Sequence, residues 1–169
     1  MPPDPVTVYV AAGSNVEPER HLAQAVQELE QAFPGVRLSS WYRNRAAGFE
    51  GDDFINLVAG FDTRLSLPEV LSCLRAIETR CGRGRNAPRW APRSMDLDVL
   101  LYGDQVSEGP PMRLPRADLL ERAYMLGPLA ELAPELVHPA AQLTIRELWE
   151  RFDRDSHPLE RIKPATHPR

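Results

Sequence analysis

Hydrophobic period switches along this chain between stretches that suit strands and stretches that suit helices, in an order few folds accommodate. Residues 6–12 are apolar and end at Gly13, which reads as a buried strand. Leu22, Ala25, Val26, Leu29, Ala32 and Phe33 then recur on one helical face. Pro18 is tolerable in that helix's first turn, and Pro34-Gly35 stops it. Residues 36–45 and 53–63 read as two further strands, joined as a hairpin through a loop around Gly48 and Gly51. A second helix opens at Ser66-Leu67-Pro68-Glu69, which has the form of a capping box, with Leu65 placed to staple onto Val70. Val70, Leu74, Ile77 and Cys81 form its buried stripe, and Gly82 ends it. A basic loop over 83–94 leads into another strand, and residues 124–132 and 144–152 look helical, joined by a proline-containing turn.

Strand-helix-strand-strand-helix-strand is the split βαβ order of ferredoxin-like α+β domains, an antiparallel sheet with helices packed on it. The expectation is helices on one face and the other face left free for a site. A chain of 169 residues suits one domain. We expect it over 1–155, followed by a polar tail at 156–169.

The strand after the basic loop carries the chemistry. In Met95-Asp96-Leu97-Asp98-Val99-Leu100-Leu101, alternate side chains share a face. Asp96 and Asp98 then point one way, and Met95, Leu97, Val99 and Leu101 the other. Aspartate is disfavoured in strands, so two in alternation inside an apolar run suggest a use. Paired carboxylates beside arginines suit hard cations and the phosphates those cations bind. The plain alternative is a strand exposed on one face.

Lysine is nearly absent: Lys163 is the only one. There is no Gly-Lys-Ser/Thr phosphate loop, and a Schiff-base mechanism has no candidate. Phosphate contacts fall to arginine, whose planar fork suits them. Five of the 19 arginines, Arg80, Arg83, Arg85, Arg89 and Arg93, lie within 14 residues. Gly82, Gly84, Pro88 and Pro92 mark that segment as a loop, and Trp90 within it suits a lid over a ligand. Gly82-Arg83-Gly84-Arg85-Asn86-Ala87 imitates a dinucleotide fingerprint, but it follows a helix and runs into Pro88, so that reading fails. The net charge of -4 argues against a nucleic-acid-coating protein. Cys73 and Cys81 suggest neither a disulfide framework nor a zinc site. No basic region precedes Val6 and the first apolar run is short, so neither a signal peptide nor a membrane span is expected and a cytoplasmic location is the default.

Glu78 lies one turn before the second helix ends. It could accept a ribose hydroxyl or an exocyclic amine, or pair with Arg75 or Arg80 on the helix surface. Phe54 and Tyr124 are candidate stacking rings, with core packing as the common alternative. Asn56 shares the Phe54 face, where an amide beside a ring can read a heterocycle's edge. Paired aspartates with several arginines fit phosphoryl or pyrophosphoryl transfer.

At these residues the chain resembles the 6-hydroxymethyl-7,8-dihydropterin pyrophosphokinase family. The resemblance runs from Val6 to about His138. It rests on Gly13-Ser14-Asn15, Phe54-x-Asn56, Glu78, Arg83-x-Arg85 and Arg89-Trp90-x-Pro92-Arg93-x-x-Asp96-Leu97-Asp98. It implies a ferredoxin-like fold and transfer of pyrophosphate from ATP to the pterin's hydroxymethyl oxygen, releasing AMP. By that resemblance Asp96 and Asp98 hold two magnesium ions, and Arg83 and Arg93 close over the phosphates. Glu78, Arg85, Trp90, Val99 and Arg122 surround ATP, with Arg113 and Arg116 also on the nucleotide side. Phe54 and Tyr124 sandwich the pterin, Asn56 reads its polar edge, and backbone groups from Asn44 to Ala47 complete that edge. The chain departs from the family's common pattern in three places. Asn44-Arg45 replaces Thr-Pro or Glu-Pro, Arg113 stands where a small hydroxyl residue is common, and Arg116 replaces a histidine after Pro115. Two other readings compete: a ferredoxin-like regulatory module that binds nucleotide or pterin without chemistry, and a two-aspartate nucleotidyl transferase. The sequence leaves oligomeric state open, and a monomer is compatible with it.

Overall fold

The computed structural model describes residues 4–44, 53–81 and 95–163. β1 (Val6–Ser14) leads to α1 (Pro18–Ala32), then to two short strands, β2 (Arg37–Leu38) and β3 (Trp41–Asn44). The long β4 (Phe54–Thr63), α2 (Leu67–Cys81) and β5 (Asp96–Tyr102) follow. A 3-10 turn at Ala117–Leu120, α3 (Ala123–Leu132), α4 (Ile145–Arg151) and β6 (Glu160–Ile162) complete the described order. The sheet runs β5-β1-β4-β3-β6, with β2 paired to β4, and these pairings are antiparallel. α1 therefore carries the chain across β4, and α2 carries it across β1, as split βαβ topology requires. β6 lies inside the segment expected as a polar tail and pairs with β3.

The start of α2 is set by its sequence. The Ser66 amide donates to the Glu69 carboxylate at 3.0 Å, and the Glu69 amide donates to the Ser66 hydroxyl at 3.3 Å. That reciprocal pair satisfies two of the helix's otherwise orphaned donors. Val70, Leu74, Ile77 and Cys81 are all buried, as the spacing predicts. α4 opens on the same device, between Thr144 and Glu147.

The expectation of one covered sheet face is corrected. α1 and α2 pack on the side of Val8, Val10, Ala12, Leu57, Leu97 and Val99. A second core holds Tyr9, Ala11, Val58 and Leu100 with Leu119, Met125, Leu126, Leu129 and Ile145. The sheet is thus covered on both faces, and a site on the second face is confined to the area beyond α3. The placement of Leu101 beside Val99 is also corrected. β5 pairs Val99 with Val10 but Leu101 with Tyr9, so Leu100 is an extra residue on its strand. A bulge of this kind reverses the alternation, and Leu101 joins the second core.

The single strand expected over 36–45 is broken at Ser39 and Ser40. The Ser39 hydroxyl takes a ladder position by accepting the Val58 amide at 2.9 Å. The Ser40 amide donates to the Glu131 carboxylate of α3 at 3.0 Å, and the Ser40 hydroxyl does so at 2.9 Å. The Tyr42 hydroxyl also donates to Glu131. Burial and that bond push the Tyr42 phenol up to about 12. Glu131 thereby ties α3 to the sheet and fixes where the second face stays open.

Candidate functional site

Strand register gathers the candidate residues. Asn56 pairs with Gly13, and Gly13 pairs with Asp96, so one row crosses β4, β1 and β5. Asn44 pairs with Phe54, and Asp98 pairs with Ala11. Cross-strand partners share a face, as do residues two apart. Asn44, Phe54, Asn56, Asp96 and Asp98 therefore all project toward the α3 side. At about 4.8 Å per strand, Asn56 and Asp96 stand roughly 10 Å apart along this row.

Gly13 gives the row its shape. A Cβ there would lie 2.6 Å from the Asn56 Oδ1, far inside ordinary contact. Only a glycine lets the Asn56 amide lie across β1. Asn56 is buried, and its Nδ2 donates to the Asn44 Oδ1. The sequence suggested backbone groups near Asn44, but here its side chain orients the Asn56 amide. The signal was present in the register: Asn44 lies on the same face, two residues beyond the Asn56 partner Tyr42.

Tyr124 stands in the first turn of α3, half-buried. Burial raises its phenol pKa above the usual value. Arg122 pushes the other way, while Asp118, Asp98 and Asp96 add to the rise. Those influences put the ring within electrostatic reach of both strand aspartates. Phe54, at the start of β4, is also half-buried. Phe54 and the fixed Asn56 amide thus lie toward one end of the row and the two carboxylates toward the other, with Tyr124 within electrostatic reach of the carboxylates.

Glu78 is buried rather than on the helix surface, and its carboxylate accepts the Leu97 amide at 2.8 Å. Leu97 lies between the two aspartates, so α2 grips β5 at that point. Arg80 pairs instead with Glu28, at 2.7 Å. Arg116 donates from its backbone amide to the Leu100 carbonyl and from Nε to the Val99 carbonyl, each at 3.0 Å. Its Nη2 lies 3.6 Å from the Asp98 Oδ1. The Val99 side chain is buried in the α1–α2 core, leaving its backbone as the part nearest the site. Arg113 makes an exposed ion pair with Glu108 at 3.5 Å. With Met112, Arg116, Ala117 and Asp118 it lines a cavity of about 220 Å³. Arg122 is the exposed residue preceding α3. Ala47, Arg83, Arg85, Trp90 and Arg93 lie outside the described residues, as do Arg45 and Arg89.

Among the described residues, no group of three or more His, Cys, Asp or Glu could hold a metal ion alone. Asp96 and Asp98 supply two hard oxygen donors on one partly exposed face. This donor set fits a magnesium ion, which binds through one or two carboxylates and completes its shell with water and phosphate. Among the described residues, no helix is long and apolar enough to cross a membrane.

A family model described as 7,8-dihydro-6-hydroxymethylpterin-pyrophosphokinase matches residues 9–134. A 2-amino-4-hydroxy-6-hydroxymethyldihydropteridine pyrophosphokinase of Synechocystis sp. is 40% identical over 148 residues, covering 85% of this chain and 75% of the relative. The protein of the same name from Haemophilus influenzae is 34% identical over 163 residues, covering 94% of this chain and 99% of the relative. Among solved structures, the wild-type HPPK-DHPS of Plasmodium falciparum superposes with a TM-score of 0.67 at 12% identity over 87% of this chain. This chain spans 44% of that larger one, and the likeness shows the ferredoxin-like fold.

Proposed function

The chain belongs to the 7,8-dihydro-6-hydroxymethylpterin-pyrophosphokinase family, and from that premise we propose how its residues divide the work. It is an enzyme of pyrophosphate transfer in folate biosynthesis, and it uses ATP. The reaction we assign is magnesium-dependent. The hydroxymethyl oxygen of 6-hydroxymethyl-7,8-dihydropterin bonds to the β-phosphorus of ATP. The bond from that phosphorus to the oxygen bridging to the α-phosphate breaks. AMP leaves with that oxygen, and the hydroxyl proton passes to solvent.

The observation that carries this reading is the row Asn56, Gly13, Asp96, with Tyr124 within electrostatic reach of Asp96 and Asp98. It supports a heterocycle side at Asn56 and a phosphate side at Asp96 on one face. Phe54 and Tyr124 stack on the pterin, and Asn56, oriented by Asn44, reads its polar edge. Asp96 and Asp98 would hold two magnesium ions, which would supply neutralisation of the charge on the transferring phosphate. Glu78 holds β5 so that the two carboxylates keep their spacing. Arg116 and Arg122 contact ATP. Arg83, Arg85, Trp90 and Arg93 are assigned to the nucleotide on sequence alone.

Asp96→Asn and Asp98→Asn test the assignment. Each removes an ionised oxygen from a partly exposed position, so melting should change little. Loss of several kcal/mol of charge stabilisation predicts a fall in turnover of at least about a hundredfold. Normal magnesium-dependent rates in either variant would refute the metal role.

A further inference from the structure

We propose that Arg116 is a built-in competitor for divalent metal. It holds Asp98 in the nucleotide-free protein and weakens binding of free cation until a triphosphate draws the guanidinium away. This rests on the metal role assigned to Asp98 above. Arg116 is bound to β5 along two successive residues: its amide meets the Leu100 carbonyl and its Nε the Val99 carbonyl. The chain is thereby fixed beside the metal strand, and one guanidinium nitrogen is left 3.6 Å from Asp98 Oδ1. Side-chain exposures of 28% for Arg116 and 39% for Asp98 place the pair at the site's mouth, neither sealed nor fully solvated. The cavity of about 220 Å³ beside Arg116 gives the guanidinium somewhere to meet an incoming anion.

The charge is permanent, because guanidinium does not deprotonate in proteins. A neutral side chain at this position would not compete in this way. With Asp98 oxygen between them, the guanidinium and a bound divalent ion would sit about 5 Å apart. In water-like surroundings with salt, that repulsion weakens metal binding about 3- to 15-fold. A triphosphate reverses the balance. The fork that opposes a bare cation can bond bidentately to phosphate oxygens. Arg116 is thus a positioning residue for Asp98 before nucleotide arrives and a phosphate contact afterwards.

The probe is Mn²⁺ titrated into nucleotide-free protein, with free Mn²⁺ read by electron paramagnetic resonance. R116Q should bind Mn²⁺ about 3- to 15-fold tighter than the native chain and should bind ATP more weakly. R116K keeps the charge without the fork and should retain nearly native Mn²⁺ affinity. Equal binding by the native chain and R116Q, including none detectable in either, overturns the proposal. So does R116K binding as tightly as R116Q, which would make the effect structural rather than electrostatic. If R116Q fails to fold, R116H at about pH 8, where imidazole is neutral, replaces it with the same expected tightening. D98N separates the two levels. If it leaves Mn²⁺ binding unchanged, the metal role of Asp98 falls, whatever R116Q shows.

Discussion

Gly13→Ala should damage pterin recognition while sparing the nucleotide side. The added Cβ would lie 2.6 Å from Asn56 Oδ1, whereas ordinary contact begins near 3.4 Å. The backbone there is paired on both sides, to Asn56 and to Asp96, so β1 cannot retreat. The amide must move instead, by most of an ångström, and it is buried and tied to Asn44. Overpacking of this kind costs about 1–3 kcal/mol. For a chain of this size that corresponds to a fall of roughly 2–10 °C in melting temperature. A displaced Asn56 also loses one or two hydrogen bonds to the heterocycle, each worth about 0.5–1.5 kcal/mol. Pterin affinity should drop about 3- to 100-fold, while ATP affinity stays within about twofold because Asp96 and Asp98 keep their strand. The assay is direct titration of pterin and ATP into the native chain and G13A, with N56A as the reference for complete loss of the amide. Native pterin affinity in a folded G13A would refute the role given to this row.

Two further perturbations probe the supports. Glu78→Ala leaves the Leu97 amide without its carboxylate acceptor, a loss of about 1–3 kcal/mol, and E78Q should recover much of it because an amide oxygen can still accept. Equal denaturant midpoints for E78A and the native chain would contradict this. His138 is buried, and its Nδ1 accepts the Ala140 and Ala141 amides at 3.2 and 3.0 Å. Burial holds its pKa below the ordinary imidazole value. The stability tied to the neutral ring is therefore complete above pH of about 6.5 and lost as pH falls through the lower folded-state value. Urea midpoints should drop between about pH 7 and pH 5 in the native chain and drop less in H138N, which cannot titrate there; parallel profiles would contradict the assignment.

What could be read from sequence was local. The capping box at Ser66, the buried stripe of α2 and the strand alternation at Asp96 and Asp98 depend on neighbours a few residues away. The break at Ser39 and Ser40 depends on Val58 and on Glu131, far along the chain. The bulge at Leu100 exists only relative to β1, so an alternation pattern carries straight through it and misplaces Leu101. The second covered face required knowing where α3 and α4 dock. In the site, residue types gave Phe54, Asn56 and the aspartates their candidacy. The bond from Asn56 to Asn44, the grip of Glu78 on Leu97 and the approach of Arg116 to Asp98 are contacts between elements, with no mark in the local pattern.

The identity of the nucleotide product tests the central claim most directly. Incubating the protein with ATP, magnesium and reduced 6-hydroxymethylpterin, and following the phosphorus resonances, should show AMP rising in step with pterin pyrophosphate. ADP as the nucleotide product, or no turnover by the folded chain, would contradict the account.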